Sequence, residues 1–492
     1  MVKNDEGIVS LKHHIMEEVA RLAWNDELTP ENEEKIVYKV SPGPKPEYRC
    51  CVYKEREIVR QRIRLAKAQC PNPAHDTDNI VQVIEPACDQ CPMQSYTVTD
   101  NCRFCLGKAC LNSCKFGAIS PGDTHMKIDP NKCKECGMCS KACPYGAIVH
   151  LTRPCKRVCP VDAVSFDEYG FCKIDESKCI SCGHCIHSCP FGAIGSKTYL
   201  VDIINAIKKG EEVIAMAAPA TEGQFGEEVT MATIRRTLMD IGFADMVEVG
   251  LGGDMTAAYE AAEWSEAYAE GKKMTTSCCP AFINMLRKHF PEQFENNMST
   301  TVSPMCAVSR YLKATHPGCK TVFIGPCIAK KSEAQDKSVP DNADYVITYG
   351  ELRVLLRATG RELTPIAEDY QESSIWGKKF ATSGGVAAAV VEVMQERGED
   401  TSALKLCKAA GGAECKKALT LLKVGKLPED FVEGMICPGG CVGGPSKNKT
   451  EIEIMKARNA LLAKADGRKV LDNLKNYPMD KFSMHRDGSM HE

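Results

Sequence analysis

The sequence lacks a strong excess of charge of either sign. Its 62 Lys and Arg residues nearly balance 65 Asp and Glu residues, which leaves a formal net charge of −3 and a pI near 6.4. Without a domain-wide surplus of cations the chain cannot neutralise many phosphates, which argues against an electrostatic nucleic-acid binder. We therefore expect small molecules or proteins as partners, and no nucleic acid.

Long apolar runs are missing as well. No stretch of 18 uninterrupted apolar residues occurs, so the sequence predicts no membrane span. The segment that begins at Met1 has neither an apolar signal core nor a twin-arginine pair. We therefore expect a cytoplasmic protein.

Cysteine, by contrast, is abundant. The chain of 492 residues contains 29 cysteines, and 17 of them lie between Cys88 and Cys189. In a large intracellular chain, cysteines at short spacings hold metal more often than they form disulfides. The cysteine pattern is therefore the main guide to function.

Composition divides the chain into four regions. Residues 1–80 are predicted to be a helical extension, because apolar residues recur at helical spacing on both sides of a Pro-rich breaker at 41–46. Residues 81–198 are rich in Cys, Pro and Gly. Residues 199–450 contain apolar, strand-like runs such as 213–217 and indicate an α/β domain.

Two further local patterns carry predictions. Residues 451–492 are interpreted as a charged helix over 452–474 followed by a polar, mobile tail. The motif Gly250-Leu-Gly-Gly is interpreted as a turn, because the strand, helix and distal acid of a nucleotide site are not evident around it.

The Cys-rich region contains an internal repeat. The pattern Lys-Ile-Asp-x2-Lys-Cys-x2-Cys-Gly-x-Cys-x3-Cys-Pro begins at Lys127 and recurs 46 residues later at Lys173. It resembles bacterial two-cluster ferredoxins, in which three thiolates hold one 4Fe-4S cluster and the fourth reaches the other cluster. Pairing the first copy with the preceding cysteine run gives a complete module. Its two ligand sets are Cys102, Cys105, Cys110 and Cys143, and Cys133, Cys136, Cys139 and Cys114.

The remaining cysteines of this region indicate nesting. If an inner module of about 92–154 is inserted into an outer ferredoxin-like module, the outer cysteines form two more sets. These are Cys88, Cys91, Cys155 and Cys189, and Cys179, Cys182, Cys185 and Cys159. Four accessory 4Fe-4S clusters would use 16 of the 17 cysteines and leave only Cys172. In the alternative, Cys88, Cys91, Cys102 and Cys105 bind tetrahedral zinc. Cys50, Cys51 and Cys70 are interpreted as ordinary thiols.

Three further cysteine segments lie in the α/β region. They are Thr276-Ser-Cys-Cys-Pro-Ala-Phe, Gly325-Pro-Cys-Ile-Ala-Lys-Lys-Ser-Glu and Glu433-Gly-Met-Ile-Cys-Pro-Gly-Gly-Cys-Val-Gly-Gly. Their thiols are spread over 163 residues on Pro- and Gly-rich turns, so only the tertiary fold can bring them together, where four could ligate one cluster. Cys278 and Cys279 are adjacent and cannot easily serve one metal site in the same way. One of the two is therefore expected to be free for chemistry.

At these residues the sequence resembles the iron-only, or [FeFe], hydrogenases. The family signatures Thr-Ser-Cys-Cys-Pro, Pro-Cys-x2-Lys-x2-Glu and Glu-x-Met-x-Cys-x2-Gly-Cys-x2-Gly occur in family order, and the resemblance covers about residues 199–450. It implies reversible reduction of protons to H2 with electrons from ferredoxin or another low-potential carrier. It also implies a catalytic α/β domain of two lobes with the active-site cluster between them, preceded by the nested ferredoxin-like α+β domains and the helical extension.

The resemblance assigns the active-site H-cluster to named residues. Cys279, Cys327, Cys437 and Cys441 would hold a 4Fe-4S cube, and Cys441 would bridge to a binuclear iron unit bearing CO, CN and a bridging dithiolate, inserted by maturation proteins. Lys330 matches the lysine that holds one cyanide, since a buried ammonium needs an anionic partner. Met435 matches the residue beside the bridging carbonyl, and Ala218, Pro219 and Ala220 match the loop at the other cyanide.

The resemblance also implies a proton relay through Cys278, Glu260, Ser299 and Glu263. Each relay group must come within hydrogen-bond reach of the next. Glu260 and Glu263 are one helical turn apart, a spacing that without the resemblance would indicate a solvated helix face.

Four positions depart from the family pattern. Phe282 stands where the best-known members carry Trp, Gly325 stands where they carry Met, and Met305-Cys306 stands where they carry two glutamines. These changes are expected to line the pocket and indicate a divergent branch. The Cys306 thiol either tunes or protects the binuclear iron or simply packs.

Three other functions fit parts of the pattern. A non-catalytic iron-sulfur assembly factor similar to prelamin recognition factors would keep the cube cysteines, but Cys278, Lys330 and Met435 argue against it. A hydrogen sensor would be expected to carry a signalling domain, and residues 1–80 are short and helical for one. A polyferredoxin carrier would have no need of the α/β half.

Overall fold

The N-terminal extension is a three-helix unit in the computed structural model, which describes residues 7–92, 95–368 and 370–490. The helices are Gly7–Trp24, Pro30–Val40 and Val52–Ala66. They share an apolar core that includes Ile15, Val37 and Val59. The helices predicted on both sides of the breaker are confirmed. The pattern does not predict the middle helix, although Thr29 caps it and Pro30 opens it, both ordinary start signals.

The Cys-rich region consists of short antiparallel strand pairs and one-turn helices. The pairs are Val81–Val83 with Ile194–Ser196, Tyr96–Val98 with Ile148–His150, Ile119–Pro121 with Met126–Ile128, and Val164–Phe166 with Cys172–Ile174. The helices are Ala109–Ser113, Met138–Ala142, Pro154–Arg157 and His184–Ser188. The pair formed by 96–98 and 148–150 therefore closes inside the pair formed by 81–83 and 194–196.

Two parallel sheets organise the second half of the chain. The first has the strand order Asp245–Glu248, Val213–Ala217, Lys320–Gly325 and Tyr345–Thr348, and the second has the order Met274–Thr275, Phe431–Met435 and Leu406–Ala410. All five residues of 213–217 and of 431–435 are buried, as expected for strands covered on both faces. The predicted α/β character of this half is confirmed.

Helices cover both sheets. They are Leu200–Lys208, Met231–Ile241, Val249–Ala269, Pro280–His289, Pro291–Asn297, Pro304–Thr315, Ala329–Ala334, Tyr349–Ala358, Ile375–Lys379, Gly385–Glu396 and Gly412–Lys423. Single 3-10 turns occur at Pro73–His75, Glu85–Ala87, Pro219–Thr221, Cys441–Gly443 and Met479–Lys481. Among the described residues, none of the helices is both long and apolar enough to cross a membrane.

The helix Val249–Ala269 corrects the turn predicted for Gly250-Leu-Gly-Gly. These glycines lie inside the helix, where they allow close packing rather than a chain reversal. A Cβ at Gly252 would stand 2.2 Å from the carbonyl oxygen of Pro304, and one at Gly250 would stand 2.4 Å from the Oγ of Ser373. Only glycine fits there.

The C-terminal predictions are wrong in two respects. The charged helix predicted over 452–474 is two helices, Glu451–Leu462 and Val470–Leu474, separated by a segment that contains Gly467. The tail is not a free polar end up to residue 490, because Phe482 and Met484 are buried in the core of the catalytic half. The Arg310 guanidinium also donates to backbone carbonyls of the tail, including those of Ser483 and His485.

Candidate metal centres and active-site cavity

A cavity of about 830 Å³ lies where the carboxyl ends of strands from both sheets meet. The three cysteine segments follow the strands that end at Thr275, Gly325 and Met435, and the carboxyl ends of parallel strands are the usual place for a site in α/β folds. The predicted residues that line it are Cys278, Cys279, Cys327, Cys437, Cys441, Ala218, Pro219, Ala220, Lys330 and Met435. The fold thus brings together residues that are far apart in sequence.

The thiols of this cavity are suited to a thiolate-bound metal. None of the 29 cysteines is in a disulfide. Burial raises the pKa of Cys327 and of Cys441 to about 12, so these thiols need a nearby positive centre to ionise, as iron would provide. Four soft sulfur donors at one apolar cavity match the ligand preference of iron-sulfur clusters. The donor set therefore fits the predicted cube.

Lys330 brings a positive charge to the cavity wall. Its Nζ donates to the Glu333 carboxylate at 2.6 Å and to the Oγ of Ser303 at 2.7 Å. Burial opposes the charge, but Glu333 more than offsets this effect, and the pKa of Lys330 is raised above its usual value. The second oxygen of Glu333 has no hydrogen-bond partner among the described residues. The ammonium is therefore held charged at the edge of the cavity.

Cys278 and Glu260 lie at the inner end of the predicted proton relay. Burial raises the pKa of Cys278 well above its usual value and raises that of Glu260 to about 7. The backbone N–H and the hydroxyl of Ser277 both donate to Oε1 of Glu260 at 2.8 Å. The other carboxylate oxygen of Glu260 has no described partner. Glu260 is thus fixed in place, with one oxygen left to take or give a proton.

Glu263 lies at the outer end, and the structure adds two residues to it. Ser299 donates to Glu263 and also interacts with Glu260. The backbone N–H of Thr300 donates to Glu263 at 3.1 Å, and the Thr300 hydroxyl shares a hydrogen bond of 2.9 Å with Nδ1 of His485. The sequence gives no sign of His485, because the tail that carries it is distant in the chain. Ser277 and Thr300 could have been suspected, since each adjoins a predicted relay residue.

The accessory cysteines are grouped as their spacing predicts. One cavity of about 390 Å³ is lined by Cys102, Cys105, Cys110 and Cys143. A second, of about 320 Å³, is lined by Cys133, Cys136, Cys139 and Cys114, and a third, of about 350 Å³, by Cys179, Cys182, Cys185 and Cys159. Cys88, Cys91, Cys155 and Cys189 are mutual electrostatic neighbours. Each predicted set of four is therefore together in the fold.

The zinc alternative does not match this arrangement. Cys88 packs with Cys155 and Cys189 in one apolar cluster, whereas Cys102 packs with Cys110 in another. Over residues 7–92, 95–368 and 370–490, no three His, Cys, Asp or Glu side chains are placed to share a single metal ion. The two Cys-x2-Cys pairs thus belong to different sites.

Cys172, which no ligand set includes, lies directly beside one of them. Its backbone N–H donates to the Sγ of Cys88 at 3.4 Å, and its thiol interacts with Cys155. Cys70 bonds instead to the backbone of Thr77, and Cys50 is exposed. Cys172 is thus a supporting residue of the set that contains Cys88.

Comparison with known proteins finds similarity to one family over the catalytic half of the chain. Residues 211–445 match the model of the iron only hydrogenase large subunit, C-terminal domain. Over these 235 of its 492 residues the chain is similar to the iron-only hydrogenase family. Residues 126–149 match a 4Fe-4S binding domain, and residues 150–200 match the LdpA Fe-S cluster-binding domain. The predicted family and the iron-sulfur character of the Cys-rich region are confirmed.

The relatives are only distantly similar to this chain. Iron hydrogenase 1 of Clostridium pasteurianum is 26% identical over 69% of this chain and 69% of that protein, and the periplasmic [Fe] hydrogenase large subunit of Nitratidesulfovibrio vulgaris is 26% identical over 65% and 85%. A probable cytosolic Fe-S cluster assembly factor of Drosophila persimilis is 26% identical over 37% and 49%. The solved apo [FeFe]-hydrogenase of Chlamydomonas reinhardtii is 22% identical, with a TM-score of 0.46, over 57% of this chain and 95% of that chain.

The positions that depart from the family pattern have local explanations. A Cβ at Gly325 would stand 2.7 Å from the ring of Phe323, so glycine leaves room for that ring at the cavity wall. Phe282 is fully buried against Gly434 and does not line the cavity. Met305 lines the cavity, whereas Cys306 packs in the core behind it. The prediction that all these changes line the pocket is therefore wrong for Phe282, Gly325 and Cys306, none of which lines it.

Proposed function

We propose that this chain is a catalytic [FeFe] hydrogenase that reversibly reduces protons to H2. The observation that carries the proposal is the joint lining of one cavity by the four cube thiols, Cys278, Lys330 and Met435. A cube-binding role alone would require only the four thiols. The additional residues match family positions that serve a binuclear iron unit.

Four thiols and three further groups would hold the H-cluster. Cys279, Cys327, Cys437 and Cys441 would ligate its cube, with Cys441 shared with the binuclear iron unit. Lys330, kept charged by Glu333, would donate to a cyanide ligand, and the Ala218–Ala220 loop would contact the other. Met435 would pack beside the bridging carbonyl. When bound, the group supplies iron-centred two-electron chemistry on protons and H2.

The chain's own residues would move the proton. Cys278 lines the cavity and would exchange a proton with the free oxygen of Glu260, whose pKa near 7 suits transfer at neutral pH. Ser299 interacts with both glutamates and would pass the proton to Glu263. Thr300 and His485 would complete the path towards solvent, because they form the outer hydrogen bonds of Glu263.

Electrons would reach the cavity through four accessory 4Fe-4S clusters. The inner module, about residues 92–154, would hold two, and the surrounding outer module of 81–198 the others. Closure of the 96–98 and 148–150 strand pair inside the 81–83 and 194–196 pair supports this nesting. Ferredoxin or another low-potential carrier would deliver the electrons, and maturation proteins would install the binuclear unit.

The proposed domain architecture follows from the two sheets. Residues 199–450 would form two lobes, one on each parallel sheet, with the cluster between them, since residues after strands of both sheets line the cavity. Residues 1–80 and 451–492 would be accessory to this domain. The tail contributes His485 near the proposed proton exit.

The test of catalysis is hydrogen evolution by the matured full chain with a reduced low-potential viologen as donor. Replacement of Cys278 by Ala should abolish most turnover while leaving the iron content unchanged, because the first relay group is lost. The matched control is Cys319→Ala, which removes a buried thiol that does not line the cavity. A matured wild-type protein without turnover would instead favour an assembly function, to which one relative's name points.

A further inference from the structure

Three cations of the N-terminal extension gather at the turn that follows Cys189. The Nη2 atom of Arg62 donates to the carbonyl of Gly192 at 2.8 Å, and the Nη2 atom of Arg49 donates to the carbonyl of Phe191 at 3.2 Å. The third cation, Lys12, interacts electrostatically with both Arg62 and Cys189. The extension therefore places positive charge against one particular cysteine set.

These cations are not paired with carboxylates. Two other cations of the helix that carries Arg62 are paired with carboxylates. Lys54 pairs with Asp89, and Arg60 pairs with Glu34. Within the described part of the chain, Lys12, Arg49 and Arg62 take part in no salt bridge, and the Nε atoms of both arginines have no hydrogen-bond partner. The buried Glu55 of this helix accepts instead from the backbone N–H groups of residues 47, 48 and 49.

Gathering like charges in this way is costly. Only 6% of Arg62 is exposed. Burial lowers the pKa of Lys12 to about 8 and that of Arg62 to about 10, and the nearby Arg49 adds to the effect on Arg62. Buried unpaired charges are unfavourable unless an opposite charge compensates them. The Cys189 thiolate acts in the compensating direction on both residues.

A fourth cation, Arg153, comes from the Cys-rich region itself and acts on the same set. Arg153 is buried, its Nε donates to the carbonyl of Pro92 at 3.1 Å, and its guanidinium lies 3.9 Å from the ring centroid of Phe166. Its charge acts on both Cys91 and Cys155. Thus Lys12, Arg62 and Arg153 act on the site formed by Cys88, Cys91, Cys155 and Cys189, and Arg49 lies at the turn that follows Cys189.

We propose that Lys12, Arg49, Arg62 and Arg153 form a cationic cage that raises the reduction potential of the accessory cluster at Cys88, Cys91, Cys155 and Cys189. The inference rests on the proposed assignment of a 4Fe-4S cluster to these four cysteines. Such a cluster is net negative with its four thiolates, and it gains a further negative charge when it accepts one electron from a neighbouring cluster, which is oxidised. Buried cations therefore favour its reduced form.

This cage gives the N-terminal helices a role. They supply three of the four cations, and the cluster inside the cage becomes the accessory site that is reduced first. The cage residues are positioning residues, because they touch the loop around the cluster and not the reacting atoms. Their proposed effect is on the reduction potential of the cluster. A role in packing alone would leave that potential unchanged.

The test is an EPR-monitored redox titration of the full chain with its 4Fe-4S clusters but without the binuclear unit. Arg62→Gln keeps N–H donors for the Gly192 carbonyl and removes the charge. Arg62→Lys keeps the charge and removes the planar guanidinium with its paired N–H donors. In Arg62→Gln the first cluster to be reduced should titrate at lower potential, with its reduced-to-oxidised ratio at a fixed potential falling about tenfold. Arg62→Lys should restore most of this ratio, and Lys12→Met should add to the loss.

Arg60→Gln is the matched control, because Arg60 is on the same helix and paired with Glu34. It should leave every titration wave in place. Unchanged waves in the Arg62→Gln, Lys12→Met double variant at full iron content would contradict the cage while leaving the cluster assignment standing. If Cys189→Ser retains the full iron content and an unchanged first wave, the cluster assignment is wrong and the cage falls with it.

Discussion

His184 and Cys437 connect the ferredoxin-like region to the catalytic domain: Nε2 of His184 lies 3.7 Å from the Sγ of Cys437. His184 lies between Cys182 and Cys185, two members of one accessory cysteine set. Cys437 belongs to the proposed cube. The two regions are close here because Gly183 has no side chain, and a Cβ at that position would stand 2.7 Å from Cγ1 of Ile328. Through this contact one accessory cysteine segment touches a proposed ligand of the cube.

His184 should tune the cube through this contact. Hydrogen bonds to cluster sulfurs are one determinant of reduction potential, and donation to a thiolate favours the reduced state. His184→Leu should therefore lower the potential of the cube, measured by EPR titration of protein without the binuclear unit. His187→Leu, on the same short helix, is the control and should leave it unchanged. Equal behaviour of the two variants would refute the role of His184.

Glu260 should be about half protonated at neutral pH. Burial raises its pKa from the ordinary value of 4.5 to about 7, so the folded state favours the neutral acid. The stability associated with the neutral form is full below pH 4.5 and is lost as pH rises through about 7. Infrared difference spectra should show a protonated carboxyl band that disappears over this range and is absent in Glu260→Gln. A band that persists unchanged above pH 9 in wild type, or remains in the variant, would contradict the assignment.

The Lys330–Glu333 pair should be sensitive to loss of one partner. Removing one member of a buried pair leaves an uncompensated charge, which costs about 3–5 kcal/mol. Glu333→Ala should therefore lower the stability of the folded chain strongly, and Lys330→Met should recover part of the loss in the double variant. The exposed pair Lys475–Asp472 is the control, for which Asp472→Ala should leave the unfolding transition almost unchanged, because solvent screens an exposed pair. Thermal unfolding measures both, and equal small effects would refute the argument.

His485 should speed proton exit. Its Nδ1 shares a hydrogen bond with Thr300 beside Glu263, so His485→Ala should slow hydrogen turnover several-fold. Added imidazole should restore part of the rate if proton transfer is the lost step. His316→Ala is the control, because His316 lies on the surface beside Glu212. A His485→Ala enzyme with unchanged turnover, or one insensitive to imidazole, would remove His485 from the path.

The contiguous motifs are what the sequence could predict. The spacing of the cysteines between Cys102 and Cys143 predicts the two ligand sets of the inner module. The reason is that short loops leave few ways to arrange four thiols. The strand Val213–Ala217 could also be predicted, because a run of apolar residues between polar segments indicates a strand that is covered on both faces. All five of its residues are buried. The hydrogenase signatures predict that Lys330 and Met435 belong to one site.

Long-range packing is what the sequence could not predict. His485 reaches Thr300 only because Phe482 and Met484 bury the tail, and two apolar residues in a polar segment are a weak signal. The turn predicted for the Gly250 motif is wrong because its glycines allow close helix packing, which has no local signature. For Arg62, likewise, the sequence indicates only a charged position on an amphipathic helix. No local pattern shows that the turn after Cys189 lies beside it.

The central claim is that the cavity holds a complete H-cluster and that the chain is a hydrogenase. The most direct measurement is an infrared spectrum of anaerobically prepared, fully matured protein in the stretching region of metal-bound carbonyl and cyanide. Bands there that shift under H2 are the predicted result. Absence of such bands in protein with its full complement of cubane iron would contradict the claim and favour an assembly factor or electron carrier.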